Sequence, residues 1–151
     1  MNYHERLSKL KMLSMERRRE RFIVINVFKI LHGLAPNPGI EFTNFDERRG
    51  VEAVIPKINK NHKAKLRNLK ENFFTMEGAK LFNALPKEVR TFNPDVKHKV
   101  HSFKNLLDKY LELIPDQPHV PDLQRTRAAS SNSIVDQISY RKPSPILRWS
   151  F

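Results

Sequence analysis

Cysteine is missing altogether from these 151 residues, and glycine occurs only four times. Without cysteine there is no disulfide framework, no thiolate zinc knuckle and no thiol nucleophile. The glycines, at 33, 39, 50 and 78, are too dispersed for a phosphate-cradling loop. Long apolar runs are absent too. The longest, 22–31, is interrupted by Asn26 and Lys29 and falls far short of a bilayer span. The opening MNYHERLSKLKML is charged throughout and lacks the apolar core of a signal peptide. These absences point to an intracellular setting, nucleus or cytoplasm, and away from a membrane partner.

Catalytic patterns fail in the same way. No Gly-x-Ser-x-Gly elbow occurs. Two-metal polymerase or nuclease chemistry needs clustered carboxylates, and the only adjacent acidic pair is Asp46-Glu47. His98 and His101 stand at helical i, i+3 spacing, but on the wet face opposite the apolar stripe and with no cysteine to help. The expectation is therefore no enzyme, no cofactor and no metal.

Acidic residues are scarce: 16 against 28 Lys and Arg, for a net charge of +12. Such an excess selects phosphate backbones or anionic surfaces as partners and says nothing about fold. Two segments hold almost all of it. Residues 1–33 carry eight basic and three acidic groups, and residues 57–70 carry six basic and none acidic. In the first, Arg17, Arg18, Arg19 and Arg21 fill nearly a full helical turn beside the positive end of the helix dipole. Stability alone would not choose that arrangement. Arg17, Arg18 and Arg21 are candidate phosphate clamps, since the guanidinium fork matches phosphate geometry. In the second, Lys57, Lys60, Lys63, Lys65, Arg67 and Lys70 form a cationic loop able to follow a backbone without reading bases. Phe73 and Phe74, just beyond, read as core rather than as a stacking platform.

The apolar pattern predicts a mainly helical small domain over 1–114 with a minor two-strand element, followed by a disordered tail over 115–151. A short amphipathic helix covers 3–13. Ser14 caps a second helix that runs from Met15 to His32, with Gly33 suited to a left-handed stop and His32 to a dipole-facing cap. Its C-terminal half is apolar nearly all round, as in a buried helix. Residues 51–55 and 72–76 are strand candidates. A helix over 77–84 and a further turn to Arg90 follow. Asn93-Pro94-Asp95 opens a long helix, with Val96, Val100, Phe103, Leu107, Tyr110 and Ile114 on one face. From Asp116 the chain is polar and rich in Pro and Ser, which marks a tail.

The ordered series Tyr3-x-x-Arg6-Leu7, Arg17-Arg18-Arg19-x-Arg21 and Phe28-Lys29-Ile30-Leu31-His32-Gly33-Leu34 resembles the C-terminal region of non-LTR (LINE-like) retrotransposon reverse transcriptases. Asn72-Phe73-Phe74, Leu81-Phe82-Asn83-Ala84-Leu85-Pro86, Ser102-Phe103-Lys104-Asn105-x-Leu107-Asp108 and a polar stretch around Ser130-Ser131-Asn132-Ser133 follow in the same order. The resemblance implies a thumb or post-thumb helical module that assists template or primer binding. No finger or palm sequence is present, so the family's polymerase residues have no positions here, and Met1 falls where the pattern begins, as in a truncated copy. The expected function is a non-catalytic, nucleic-acid-binding fragment of an RNA-directed DNA polymerase. Its partners would be an RNA or DNA backbone and the missing palm or a homologous full-length protein. The alternative is a protein-interaction or packing module, or a copy without function, whose apolar helix 22–34 docks on a partner while charge serves solubility.

Overall fold

Helix α2, Met15–Leu31, is the element around which the others arrange themselves. In this computed structural model the residues described are 1–71, 73–91, 99–118 and 132–140. The helices are α1 (Tyr3–Lys9), α2, α3 (Ala64–Glu71), α4 (Phe74–Ala84), α5 (Lys87–Arg90), α6 (Lys99–Leu111) and α7 (Ile134–Tyr140). Among the described residues no helix is long and apolar enough to cross a membrane.

The punctuation of α2 is the one its sequence dictates. The Ser14 hydroxyl accepts from the Arg17 amide at 3.2 Å, satisfying one of the helix's open donors. At the other end Gly33 takes φ +70, which only glycine adopts without cost. Between them Val24, Ile25, Val27, Phe28 and Ile30 are buried. The apolar half of α2 is thus covered by its own chain.

Helix α4 covers one side. Phe74, Gly78, Leu81, Phe82 and Leu85 recur at helical spacing, and this stripe meets α2. Gly78 permits the approach: a Cβ there would stand 2.9 Å from Val27 Cγ2 and 3.6 Å from Ile23 Cγ2. Helix α6 covers another side. The Phe103 ring stacks on Phe28 with centroids 3.8 Å apart and planes within 5°. Such a pair contributes roughly 0.5–1.5 kcal/mol beyond its burial. The spacing of Val100, Phe103, Leu107 and Tyr110 is realised as one inward face. Val96 and the Asn93-Pro94-Asp95 opening lie outside the described residues.

Among the described residues the two-strand element does not form. Residues 72–76, read as a strand from the alternation of Phe73 and Phe74, instead contain the start of α4. The helical stripe beginning at Phe74 outweighs that short alternation. Residues 51–55 contribute only one isolated antiparallel bridge, Ala53 with Phe42, and a second, Asp46 with Gly50, closes the turn just before them. The remaining edge of Ala53 is taken by a side chain: its N–H donates to Asn83 Oδ1 and its carbonyl accepts from Asn83 Nδ2, both at 2.8 Å. An amide side chain thus stands where a second strand would pair. Arg90, buried, pins the same ribbon by donating to the Val51 carbonyl at 2.9 Å.

Of the tail expected to be disordered from 115 onward, 119–131 and 141–151 lie outside the described residues, whereas Asp116 and residues 132–140 pack onto α2, its cap and α4. Ile134 is fully buried, and its amide donates to Glu20 Oε2 at 2.8 Å. Helix α7 lies against α4. Asp116 binds Ser14 through both the amide and the hydroxyl, at 2.5 and 2.6 Å, and accepts from Asn132 Nδ2 at 2.6 Å. The apolar residues Ile134, Val135 and Ile138 were too few to signal this helix, and their polar partners come from the far end of the chain.

Candidate nucleic-acid interface

The two cationic segments predicted as one phosphate grip are treated very differently by the fold. Arg17 is fully buried. Its Nη2 donates to the Pro115 carbonyl at 2.9 Å and to that of Asn132 at 3.4 Å, and Nη1 donates to Ile114 at 3.4 Å. Burial lowers its pKa, opposed by the neighbouring Asp116 and Glu20 charges. A guanidinium committed to three backbone carbonyls cannot clamp a phosphate. Arg17 is therefore corrected from ligand-binding to structural: it fastens the end of α6 and the start of α7 to α2.

Arg21 is committed as well. Its Nε and Nη2 donate to Asp108 Oδ1 and Oδ2 at 2.6 and 3.0 Å, and this hydrogen bonding raises its pKa. The guanidinium fork meets a carboxylate where a phosphate was expected. Arg19 pairs with Glu77 at 2.9 Å. Arg18, half-buried, donates through Nε to the Leu13 carbonyl at 3.0 Å. Arg18, Arg21, Lys11 and Phe22 line a groove of about 580 Å³ against α6, with Asp108 and Glu112 on its opposite side. Mixed charge of this kind suits a polypeptide better than a polyanion.

The second segment keeps its character and gains shape. Half of the expected loop is helical, because residues 64–71 form α3. Lys57, Lys60, Lys63, Lys65 and Arg67 are all exposed, and Lys70 is half-buried with Nζ 3.2 Å from His62 Nδ1. At about 100° per residue, Lys63, Arg67 and Lys70 fall within roughly 60° of one another, on one side of the helix axis. Lys65 stands on the other side. Between them lie Leu66 and Leu69, 41 and 51% exposed. No carboxylate occurs from 57 to 70, so the positive field of this stretch is not quenched from within.

One residue of this surface escaped the reading of the sequence. Phe73, expected in the core, is 55% exposed. It occupies the N-cap of α4 without a side-chain cap, and its carbonyl accepts from the Met76 and Glu77 amides at 3.0 and 2.9 Å. The available signal was its position off the stripe that starts at Phe74. Phe74 packs against the core as expected.

The described histidines do not assemble into a site. Among the described residues no three His, Asp or Glu side chains come together to hold a metal ion. His98 lies outside the described residues, and His101 Nε2 sits 3.3 Å from Asn105 Nδ2. His32, read as a dipole-facing cap, does stand at the helix end, but its surroundings disfavour the charged ring. It ends α2, its ring packs on Phe28 at 4.3 Å, and burial followed by the charge of Lys99 lowers its pKa.

Comparison with protein-family models, with curated proteins and with solved structures finds no match for this chain.

Proposed function

We propose that this chain is a non-catalytic nucleic-acid-binding module, descended from the thumb side of a retrotransposon-type RNA-directed DNA polymerase, and that its 57–70 segment grips phosphates. The observation that carries the reading is the exposure of Lys57, Lys60, Lys63, Lys65 and Arg67 on a stretch free of acidic groups. Cations presented this way release counterions from a phosphate backbone and bind any sequence, more weakly as salt rises. The role is a holding one, since the sequence supplies no palm carboxylates.

Reversal of Lys63, Lys65 and Arg67 to glutamate tests this. Their substitution weakens binding to every RNA and DNA sequence and lowers the salt slope by about two, from roughly 0.7 per phosphate contact on single strands. Unchanged affinity in the folded triple variant would refute the assignment.

A second reading keeps one observation of its own. Phe22 is 63% exposed beside the mixed-charge groove between α2 and α6, a feature that fits docking on a polypeptide such as the missing palm. Most of the apolar helix 22–34 is consumed by the chain's own core, so such docking would use Phe22 and the groove rather than the whole helix face.

A further inference from the structure

We infer that the exposed surface of residues 57–70 together with Phe73 takes single-stranded rather than duplex nucleic acid, with Phe73 and the Leu66–Leu69 strip receiving unstacked bases while the flanking cations hold the phosphates. This rests on the phosphate-gripping role proposed above and narrows it to a substrate class. The argument begins with an apolar surface in the wrong place for solubility. Leu66, Leu69 and Phe73 are 41, 51 and 55% exposed, all within eight residues, on the most cationic stretch of the chain. Cations border the strip on both sides, Lys65 on one and Lys63, Arg67 and Lys70 on the other, by the helical arithmetic of α3. A ligand complementary to that pattern has negative charge along its edges and apolar faces between them.

A duplex offers phosphates but hides its base faces in the stack. A single strand offers both at once, and stacking on an aromatic ring tolerates any base. Phe73 is held ready for this. The Phe73 amide donates to the Lys70 carbonyl at 3.2 Å, and its own carbonyl accepts from the first turn of α4, so both of its backbone polar groups are engaged. Phenylalanine is also a poor choice for an N-cap, where Ser, Asp or Asn would satisfy an open amide. A local rule broken at an exposed aromatic, beside cations, is the pattern of a position kept for contact rather than for stability.

The test measures binding of the whole chain to three probes: an oligouridine of about 15 nucleotides, a DNA duplex of the same length, and a phosphatidylserine-containing vesicle. Phe73→Ala is expected to weaken oligouridine binding about tenfold while leaving duplex binding and both salt slopes unchanged. Phe73→Trp, which restores a stacking face, is expected to recover the single-strand affinity and to show that the alanine effect is not a folding defect. An equal loss on both nucleic acids, or no loss on oligouridine, would overturn the inference. So would a loss confined to vesicles, which would assign the strip to a membrane surface. The lysine and arginine reversal separates the two levels. If it abolishes binding while Phe73→Ala does nothing, the phosphate grip stands and the single-strand preference fails. If neither variant alters binding, both fail.

Discussion

Replacing Arg17 by methionine separates a structural arginine from a phosphate clamp. Methionine keeps most of the apolar stem and removes the guanidinium. The carbonyls of Ile114, Pro115 and Asn132 then lose their donor, and the carboxylates of Glu20 and Asp116 lose the cation beside them. A buried acceptor left unsatisfied costs about 1–3 kcal/mol, with the two 3.4 Å contacts counting toward the low end. Stranding buried charge by deleting its partner costs about 3–5 kcal/mol in all. Against a total stability of about 5–15 kcal/mol this is a severe loss. With a urea dependence near 2 kcal/mol per molar, the unfolding midpoint falls by about 2 M. Arg18→Met, at a half-buried position one residue away, changes stability by less than about 0.5 kcal/mol, or about 0.25 M in the midpoint. Urea unfolding followed by circular dichroism reads both effects, and RNA affinity of Arg17→Met, measured where the variant remains folded, is expected to be unchanged. Arg17→Met with an unchanged midpoint and weakened RNA binding would refute the burial argument.

The other predictions concern packing and acid response. Gly78→Ala places a methyl 2.9 Å from Val27 Cγ2 and forces α2 and α4 apart, so the urea midpoint drops by an amount set by roughly 1–3 kcal/mol of overpacking; an unchanged midpoint would mean that the helices do not approach as described. Gly50→Ala meets Thr91 Cγ2 at 2.5 Å while holding φ +70, and low yield or a lowered midpoint is expected. His32 has a folded pKa below its ordinary 6.5, so the unfolded chain takes up the proton first and stability declines as pH falls below about 6.5. His32→Gln removes that decline in midpoint-versus-pH curves, and a variant with the parent's slope would contradict it. Glu20 has the opposite sign. Burial raises its pKa above 4.5, so its contribution is complete below 4.5 and is lost as pH rises through the raised value, and Glu20→Gln flattens that limb.

Local signals carried the sequence reading where the structure is local. The Ser14 cap, the Gly33 stop, the turn at Lys87–Arg90 and the inward face of α6 all depend on neighbours within a few residues, and each is where the pattern placed it. The failures are long-range. Arg17 finds its acceptors 97 to 115 positions away, so nothing near it in sequence distinguishes a buried pin from a phosphate clamp. Asn83 occupies the edge of Ala53 across 30 residues, and the strand that alternation suggested has no place to pair. Helix α7 shows only a thin apolar stripe because much of its anchoring is polar: Gln137 to the Gln117 carbonyl at 2.7 Å, Asn132 to Asp116, and the Ile134 amide to Glu20. At the candidate interface, composition located the cations of 57–70, but only the fold reveals that Leu66, Leu69 and Phe73 face outward among them.

Mapping the amide NMR shifts of the full chain as oligouridine is added tests the central claim most directly. The account predicts perturbations concentrated on residues 57–71 and Phe73 and fading as salt is raised, with the amides around Arg17 and Asp116 left in place. Shifts confined to the groove between α2 and α6, or no shifts at low salt, would contradict it.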